Sequence, residues 1–171
     1  MGLEVFVTDE QTSCPIDATH WAEFARAVLG SLAIEANAEL AISFVDESTI
    51  TGLNERFMGH AGPTDVLSFP IEDDPLSMNP PSRDRARSRI YDGRDIAPLM
   101  LGDVVICPSV AERNASAEGV GKNDEIAHLL VHGILHLLGM DHEDDADAEV
   151  MEEKERKLLR AHRVQQDKPT T

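Results

Sequence analysis

The segment His132-Gly133-Ile134-Leu135-His136-Leu137-Leu138-Gly139-Met140-Asp141-His142 places three histidines in one short, mostly apolar run. On a helix, His132 and His136 project from the same face about one turn apart, because four residues separate them. Gly139 can end the helix and turn the chain, which would bring His142 back to the same point. The spacing therefore predicts a metal site with three imidazole ligands and one open position, which is typical of a catalytic zinc.

The same segment ends a longer apolar stretch that begins near Asn123. Its apolar residues cover nearly the whole circumference of a helix, which predicts a central, buried element. His128 also lies on this helix, but roughly 12 Å of helical rise separates it from His136, too far for both to bind one ion. We therefore expect His128 to support the site or the fold. Gly133 either leaves room above the metal for a substrate or permits close helix packing.

The rest of the chain supplies short strands and helices in irregular alternation. Hydrophobic patterns predict strands near residues 3–8, 40–45, 66–69 and 99–106, and helices near 17–36, 50–57, 108–119, 123–138 and 144–163. This order predicts an α+β fold, a small mixed four-stranded sheet packed with about five helices. We expect one domain over residues 1–165, with a long loop rich in proline and arginine at 71–98, and a flexible tail at 166–171.

Charge is distributed unevenly along the chain. The formal net charge of −17 argues against a protein whose whole surface attracts nucleic acid. The 71–98 loop nevertheless carries a cluster of arginines, so it is either a mobile, solvated loop or a clamp for RNA phosphates: Arg83, Arg85, Arg87, Arg89 and Arg94. On the last helix, the carboxylates predict a solvated face on which Glu152 or Glu155 pairs with Arg156 or Lys157.

Neither an export signal nor an apolar stretch long enough to span a membrane is apparent in the sequence. We therefore expect a cytoplasmic protein that has no membrane partner.

The histidine spacing is similar to that of metzincin proteases, in which a glutamate directly after the first histidine acts as general base. Here that position is Gly133, which disfavours peptide hydrolysis. For phosphodiester cleavage, a nearby cation helps more than a second carboxylate would. The metal ion lowers the pKa of bound water and polarises a phosphoryl oxygen, and the cation balances the negative charge of the phosphate. Arg56 is the candidate for that cation.

Three blocks of sequence together resemble the YbeY endoribonucleases, which act as ribosomal RNA maturation factors. Residues 128–142, HLLVHGILHLLGMDH, resemble the C-terminal signature of the family, with Met140 where tyrosine is common. Leu53-Asn54 with Arg56, followed by residues 63–70, PTDVLSFP, resembles its central block. Residues 101–106, LGDVVI, resemble the strand before the metal helix. The blocks occur in the order of the family, and the resemblance extends from about Leu3 to Leu159.

The resemblance implies a zinc-dependent endoribonuclease that prefers single-stranded RNA. It would act in ribosomal RNA maturation at the 3′ end of the small-subunit RNA, and in ribosome quality control. Its partners would be that RNA, the small ribosomal subunit and associated proteins.

Residue roles follow from the same resemblance. His132, His136 and His142 become the ligands of one Zn²⁺ ion, and Arg56 becomes the residue on the phosphate side. The remaining matched residues would line or support the cleft, although capping of turns and strand ends is the simpler role for Ser68: Thr64, Asp65 and Ser68. Asp141 would orient a ligand imidazole or cap the turn.

Two other functions agree with the same residues. One is a ribosome-assembly factor without catalytic activity, in which zinc only stabilises the fold. The other is a metal-dependent hydrolase of a different substrate. For the endoribonuclease itself, the attacking group is either water or the 2′-hydroxyl of the RNA, and the sequence does not choose between them.

Overall fold

The computed structural model describes residues 2–34, 37–71, 99–140 and 144–162. The predicted site residues Asp141 and His142 lie outside these ranges, as do the 166–171 tail and all but the first residue of the 71–98 loop. The elements, in chain order, are β1 (Leu3–Asp9), α1 (Ala18–Ser31), β2 (Ala38–Phe44), α2 (Glu47–Leu53), a π-helical turn (Asn54–Met58), β3 (Val66–Pro70), β4 (Leu99–Ile106), α3 (Pro108–Glu118), α4 (Lys122–Leu137) and α5 (Asp145–Ala161).

The four strands form one mixed sheet in the order β1-β2-β4-β3. β1, β2 and β4 are parallel, whereas β3 at the edge runs antiparallel to β4. The predicted α+β class, a mixed four-stranded sheet with about five helices, is confirmed, since the described ranges contain four strands and five α-helices. None of the helices in the described ranges combines the length and apolar character needed to cross a membrane.

One face of the sheet carries the main hydrophobic core. Strand β2 alternates strictly between buried and half-buried residues, so that Leu40, Ile42 and Phe44 point to this face. Val104 of β4 joins them, together with the apolar residues of α1 and α4. α4 is buried along most of its length, which confirms its predicted central position.

A smaller core cluster lies on the opposite face of the sheet. Val105 follows Val104 along β4 and therefore points the other way, into a cluster with Ile50 of α2 and Leu67 of β3. Phe69 packs against the same cluster. The sheet thus separates α2 and the π-helical turn from α4.

Helix α4 ends next to Gly139, as the sequence predicts. The helix ends at Leu137, and Gly139 takes a left-handed φ of 88°. The Gly139 N–H donates to the His136 carbonyl at 3.0 Å, and the Met140 N–H donates to the Leu135 carbonyl at 3.0 Å. These bonds satisfy carbonyls at the helix end and turn the chain where the sequence predicts it.

Candidate metal centre

His132 and His136 meet on one side of α4. Their Nε2 atoms are 2.9 Å apart, and the two rings are nearly perpendicular, at 77°, with centroids 4.5 Å apart. Both residues are half-buried, and 29% of the His132 side chain is exposed. The structure therefore brings together two of the three predicted metal ligands.

Glu155 of α5 lies behind these histidines. Its Oε1 atom is 2.5 Å from Nδ1 of His132, and its Oε2 atom is 3.3 Å from Nε2 of His128. Only 6% of the residue is exposed. The prediction that Glu155 belongs to a solvated face is therefore wrong, although Glu153 and Lys157 do form an exposed pair at 3.3 Å.

The sequence contains a signal that identifies Glu155. It lies four residues after Met151 and three before Leu158, and both of these residues are buried on the inner face of α5. Positions with this spacing share one face of a helix. Glu155 is thus a carboxylate within an apolar stripe, and such a residue needs a polar partner in the core.

Glu155 and His128 each change the pKa of the other. Burial alone would raise the pKa of Glu155, but its hydrogen bonds with His128 and His132 and the charge of those rings lower the pKa to about 2. The hydrogen bond to Glu155 raises the pKa of His128, against the opposing effect of burial. Glu155 is therefore an ionised acceptor between two imidazoles.

The arrangement of these side chains fits a metal ion. To donate a hydrogen bond to Glu155, His132 must carry a proton on Nδ1, which leaves the Nε2 lone pair of a neutral ring directed toward His136. His132 and His136 would each offer a ring nitrogen to such an ion, because neutral imidazole is a zinc ligand. Among the described residues, no group of three or more His, Cys, Asp or Glu side chains is placed to hold a metal. The third predicted ligand, His142, is not among them.

Gly133 permits close packing of α4 on the sheet. A Cβ atom at this position would lie 2.7 Å from Cγ1 of Val104 and 3.1 Å from Oγ of Ser68. The Ser68 hydroxyl donates to the Gly133 carbonyl at 3.2 Å. Of the two predicted roles for this glycine, the structure supports helix packing rather than space for a substrate.

Asp65 ties the start of β3 to α3. Its Oδ1 atom accepts from the Val66 N–H at 2.8 Å, and its Oδ2 atom accepts from Nδ2 of Asn114 at 3.2 Å. The Thr64 hydroxyl lies 3.5 Å from Oδ1. These contacts show capping of a strand end, and roles for Thr64, Asp65 and Ser68 in a cleft stay predictions.

Arg56 is an exposed residue of the π-helical turn. Its guanidinium carbon lies 5.5 Å from the centre of the Phe57 ring, and Phe57 meets Phe69 edge to face at 5.4 Å. Phe69 neighbours Ser68 on β3 and so points to the sheet face opposite α4. The assignment of Arg56 to the phosphate side thus rests on the sequence alone and stays a prediction.

Comparisons with known proteins identify the family. The family model described as Endoribonuclease YbeY matches residues 6–163. Two relatives, both named Endoribonuclease YbeY, are 42% identical: that of Beutenbergia cavernae over 93% of this chain and 95% of its own, and that of Acidothermus cellulolyticus over 82% and 80%. A Thermotoga maritima protein solved in solution shares the fold, with a TM-score of 0.60 and 23% identity over 98% of this chain and 99% of its own. The chain belongs to the YbeY endoribonuclease family.

Proposed function

We propose that the protein is a zinc-dependent endoribonuclease that cuts single-stranded RNA. In the cell it acts in the cytoplasm on ribosomal RNA, at the 3′ end of the small-subunit RNA and in ribosome quality control, together with the small subunit and its proteins. Family membership supports RNA as the substrate. Metal dependence is supported mainly by one observation. The Nε2 atoms of His132 and His136 lie close together, and the buried Glu155 carboxylate contacts the other ring nitrogen of His132.

Three histidines would hold the ion: His132, His136 and, by sequence, His142. When bound, zinc supplies a Lewis acid for a phosphoryl oxygen and lowers the pKa of water toward about 7. The chain itself fixes the ring of His132 through Glu155 and anchors α4 to the sheet at Gly133. Gly133 also leaves the position after the first ligand without a carboxylate, so the attacking hydroxyl does not lose its proton to a group there. Arg56 is the proposed cation for the scissile phosphate.

Cleavage by zinc-loaded, nuclease-free protein tests this function. We expect single-stranded RNA to be cut and the same sequence in a duplex to resist. His136→Ala should reduce cleavage to background, whereas His60→Ala, which removes an exposed histidine, should not. Arg56→Ala should reduce the rate roughly 10²-fold if this cation stabilises the developing charge, and the exposed Arg26→Ala is its control. A metal-loaded wild-type protein that cuts no RNA would contradict the proposal.

The ends of the products identify the attacking group. A 2′,3′-cyclic phosphate shows that the 2′-hydroxyl of the RNA attacks first and displaces the 5′-oxygen of the next nucleotide. A linear phosphate with no cyclic intermediate indicates direct attack by water. Mass spectrometry of a short oligonucleotide substrate distinguishes the two.

A further inference from the structure

We infer that Glu155 is a positioning residue that fixes the tautomer and orientation of His132 for metal binding, and that His128 holds the carboxylate in place. The inference rests on the proposed zinc site and adds to it two residues of different helices. It assigns no ligand role to either residue. Glu155 acts on the metal through His132, which lies between them.

The hydrogen-bond geometry decides which nitrogen of His132 faces the ligand. An ionised carboxylate only accepts, so the short contact at Nδ1 requires a proton on that nitrogen. In the neutral ring, Nε2 is then a bare acceptor, which is the form that binds a metal.

The second oxygen of Glu155 has its own partner. His128 lies one turn before His132 on α4, and its Nε2 atom contacts Oε2. With one imidazole on each oxygen, the carboxylate cannot rotate without losing a hydrogen bond. This arrangement accounts for a third histidine at four-residue spacing that lies too far from His136 to share its ion.

The surroundings of Glu155 restrict water. Met151 and Leu158 flank it on α5, and their exposed fractions are only 2% and 6%. Other carboxylates on this helix are exposed, including Glu149, Glu152 and Glu153. The groups facing the carboxylate from α4 are His128 and His132, with Glu125 acting on His128 from a greater distance. The hydrogen bond to His132, whose side chain is 29% exposed, is therefore better shielded than the bond to His128, whose side chain is 46% exposed.

A purely structural role would also explain a bridge between α4 and α5. The two roles differ in what they predict for the metal. Loss of a structural bridge lowers the stability of the fold and leaves the intrinsic zinc affinity of the folded chain unchanged. Loss of a positioning residue weakens zinc binding in a protein that is still folded, and it changes the tautomer of His132.

The test compares full-length wild type with Glu155→Gln, Glu155→Ala and the exposed control Glu152→Gln. Zinc affinity is measured by competition with a chromogenic chelator, and circular dichroism confirms that each protein is folded. We expect zinc to dissociate about 10 to 100 times more readily from Glu155→Gln, more readily still from Glu155→Ala, and equally from wild type and the control. His128→Gln should give a smaller loss of affinity in the same direction.

Nitrogen NMR of the histidine rings gives a readout independent of metal and activity. In the metal-free full chain at mildly alkaline pH, we expect the His132 proton on Nδ1 in wild type and a shift toward Nε2 in Glu155→Ala. Wild-type affinity in both Glu155 variants, or a wild-type His132 protonated on Nε2, would overturn the inference. If the expected tautomer and affinities are found but RNA is not cut, the positioning role stands and the proposed enzymatic function fails.

Discussion

At the scale of single residues, two buried carboxylates near α4 have opposite surroundings. Glu155 has an imidazole on each oxygen, and its pKa is lowered to about 2. Glu125, on the first full turn of α4, is only 8% exposed. Burial raises the pKa of Glu125, the charge of His128 opposes that change, and the nearby Glu118 and Asp65 add to it. One carboxylate is therefore stabilised in its charged form and the other is destabilised.

Glu125 should cost stability at neutral pH. The pKa of Glu125 is higher in the folded protein than in the unfolded chain. The loss of stability is therefore complete above the folded pKa, and it disappears below about pH 4.5, where Glu125 is protonated in both the folded and the unfolded state. We expect Glu125→Gln to raise Tm by roughly 1–3 °C at pH 8 and to have no effect at pH 4. Asp124→Asn, in the same turn, is the control and should give no such gain. A decrease in Tm at pH 8 would show that the charged form of Glu125 is useful to the fold.

Replacing Gly133 by alanine should destabilise the packing of α4 on the sheet. The added Cβ atom would lie 2.7 Å from a methyl of the buried Val104, so the helix or the strand would have to move. We expect Gly133→Ala to lower the free energy of unfolding by about 1–3 kcal/mol, despite the better helix propensity of alanine. Urea denaturation measures this change.

The matched control for that substitution is Gly30→Ala in α1. A Cβ atom at Gly30 meets nothing within 4 Å, so only the propensity remains. We expect this variant to gain up to about 1 kcal/mol. Equal effects of the two substitutions would show that α4 is not packed as closely as the structure indicates.

At the scale of elements, local pattern was enough to predict the helices, the strands and their class. Alternation predicts β2 and helical spacing predicts α4, because each pattern follows from the geometry of one element. The strand order was not predictable in this way, since the pairing of β2 with β4 depends on contacts distant in sequence. Likewise, four-residue spacing predicted the meeting of His132 and His136, whereas Glu155 comes from another helix. Its partner is fixed only when α5 packs on α4.

The hydrogen bond between Asp65 and Asn114 is a further contact between residues distant in sequence, and it joins the start of β3 to α3. Asp65 loses hydrogen bonds to the Val66 N–H and to Asn114 when it is replaced by alanine. We expect Asp65→Ala to destabilise the protein by about 1–2 kcal/mol, and Asp65→Ala with Asn114→Ala to couple by at least about 0.5 kcal/mol in a double-mutant cycle.

The control cycle pairs Asn114→Ala with Asp17→Ala. Asp17 caps α1 by accepting from the His20 N–H and has no partner in common with Asn114. We expect these two effects to add. If the effects of Asp65→Ala and Asn114→Ala are also additive, the contact between these residues does not stabilise the fold. That result would favour a role for Asp65 in the cleft.

At the scale of the whole molecule, the fold and the metal centre have separate sources of stability. The main core joins β2, β4, α1 and α4 through apolar side chains, whereas His132 and His136 are only half-buried at its edge. Burial of such surface is the dominant favourable term in folding. The protein should therefore stay folded without metal, which distinguishes a catalytic site from a zinc that only holds the fold together.

Thermal unfolding with and without zinc tests this separation. A ligand present at 100 times its Kd stabilises a protein by about 2.7 kcal/mol, which corresponds to roughly 5–10 °C in a chain of this size. We expect the metal-free chain to unfold cooperatively and zinc to raise its Tm by that amount. His136→Ala should abolish the shift while keeping a Tm close to that of the metal-free wild type. A metal-free chain that is already unfolded, or a His136→Ala variant that fails to fold, would instead favour a zinc-stabilised assembly factor. In that case the protein would need the ion in order to fold, and not only for catalysis.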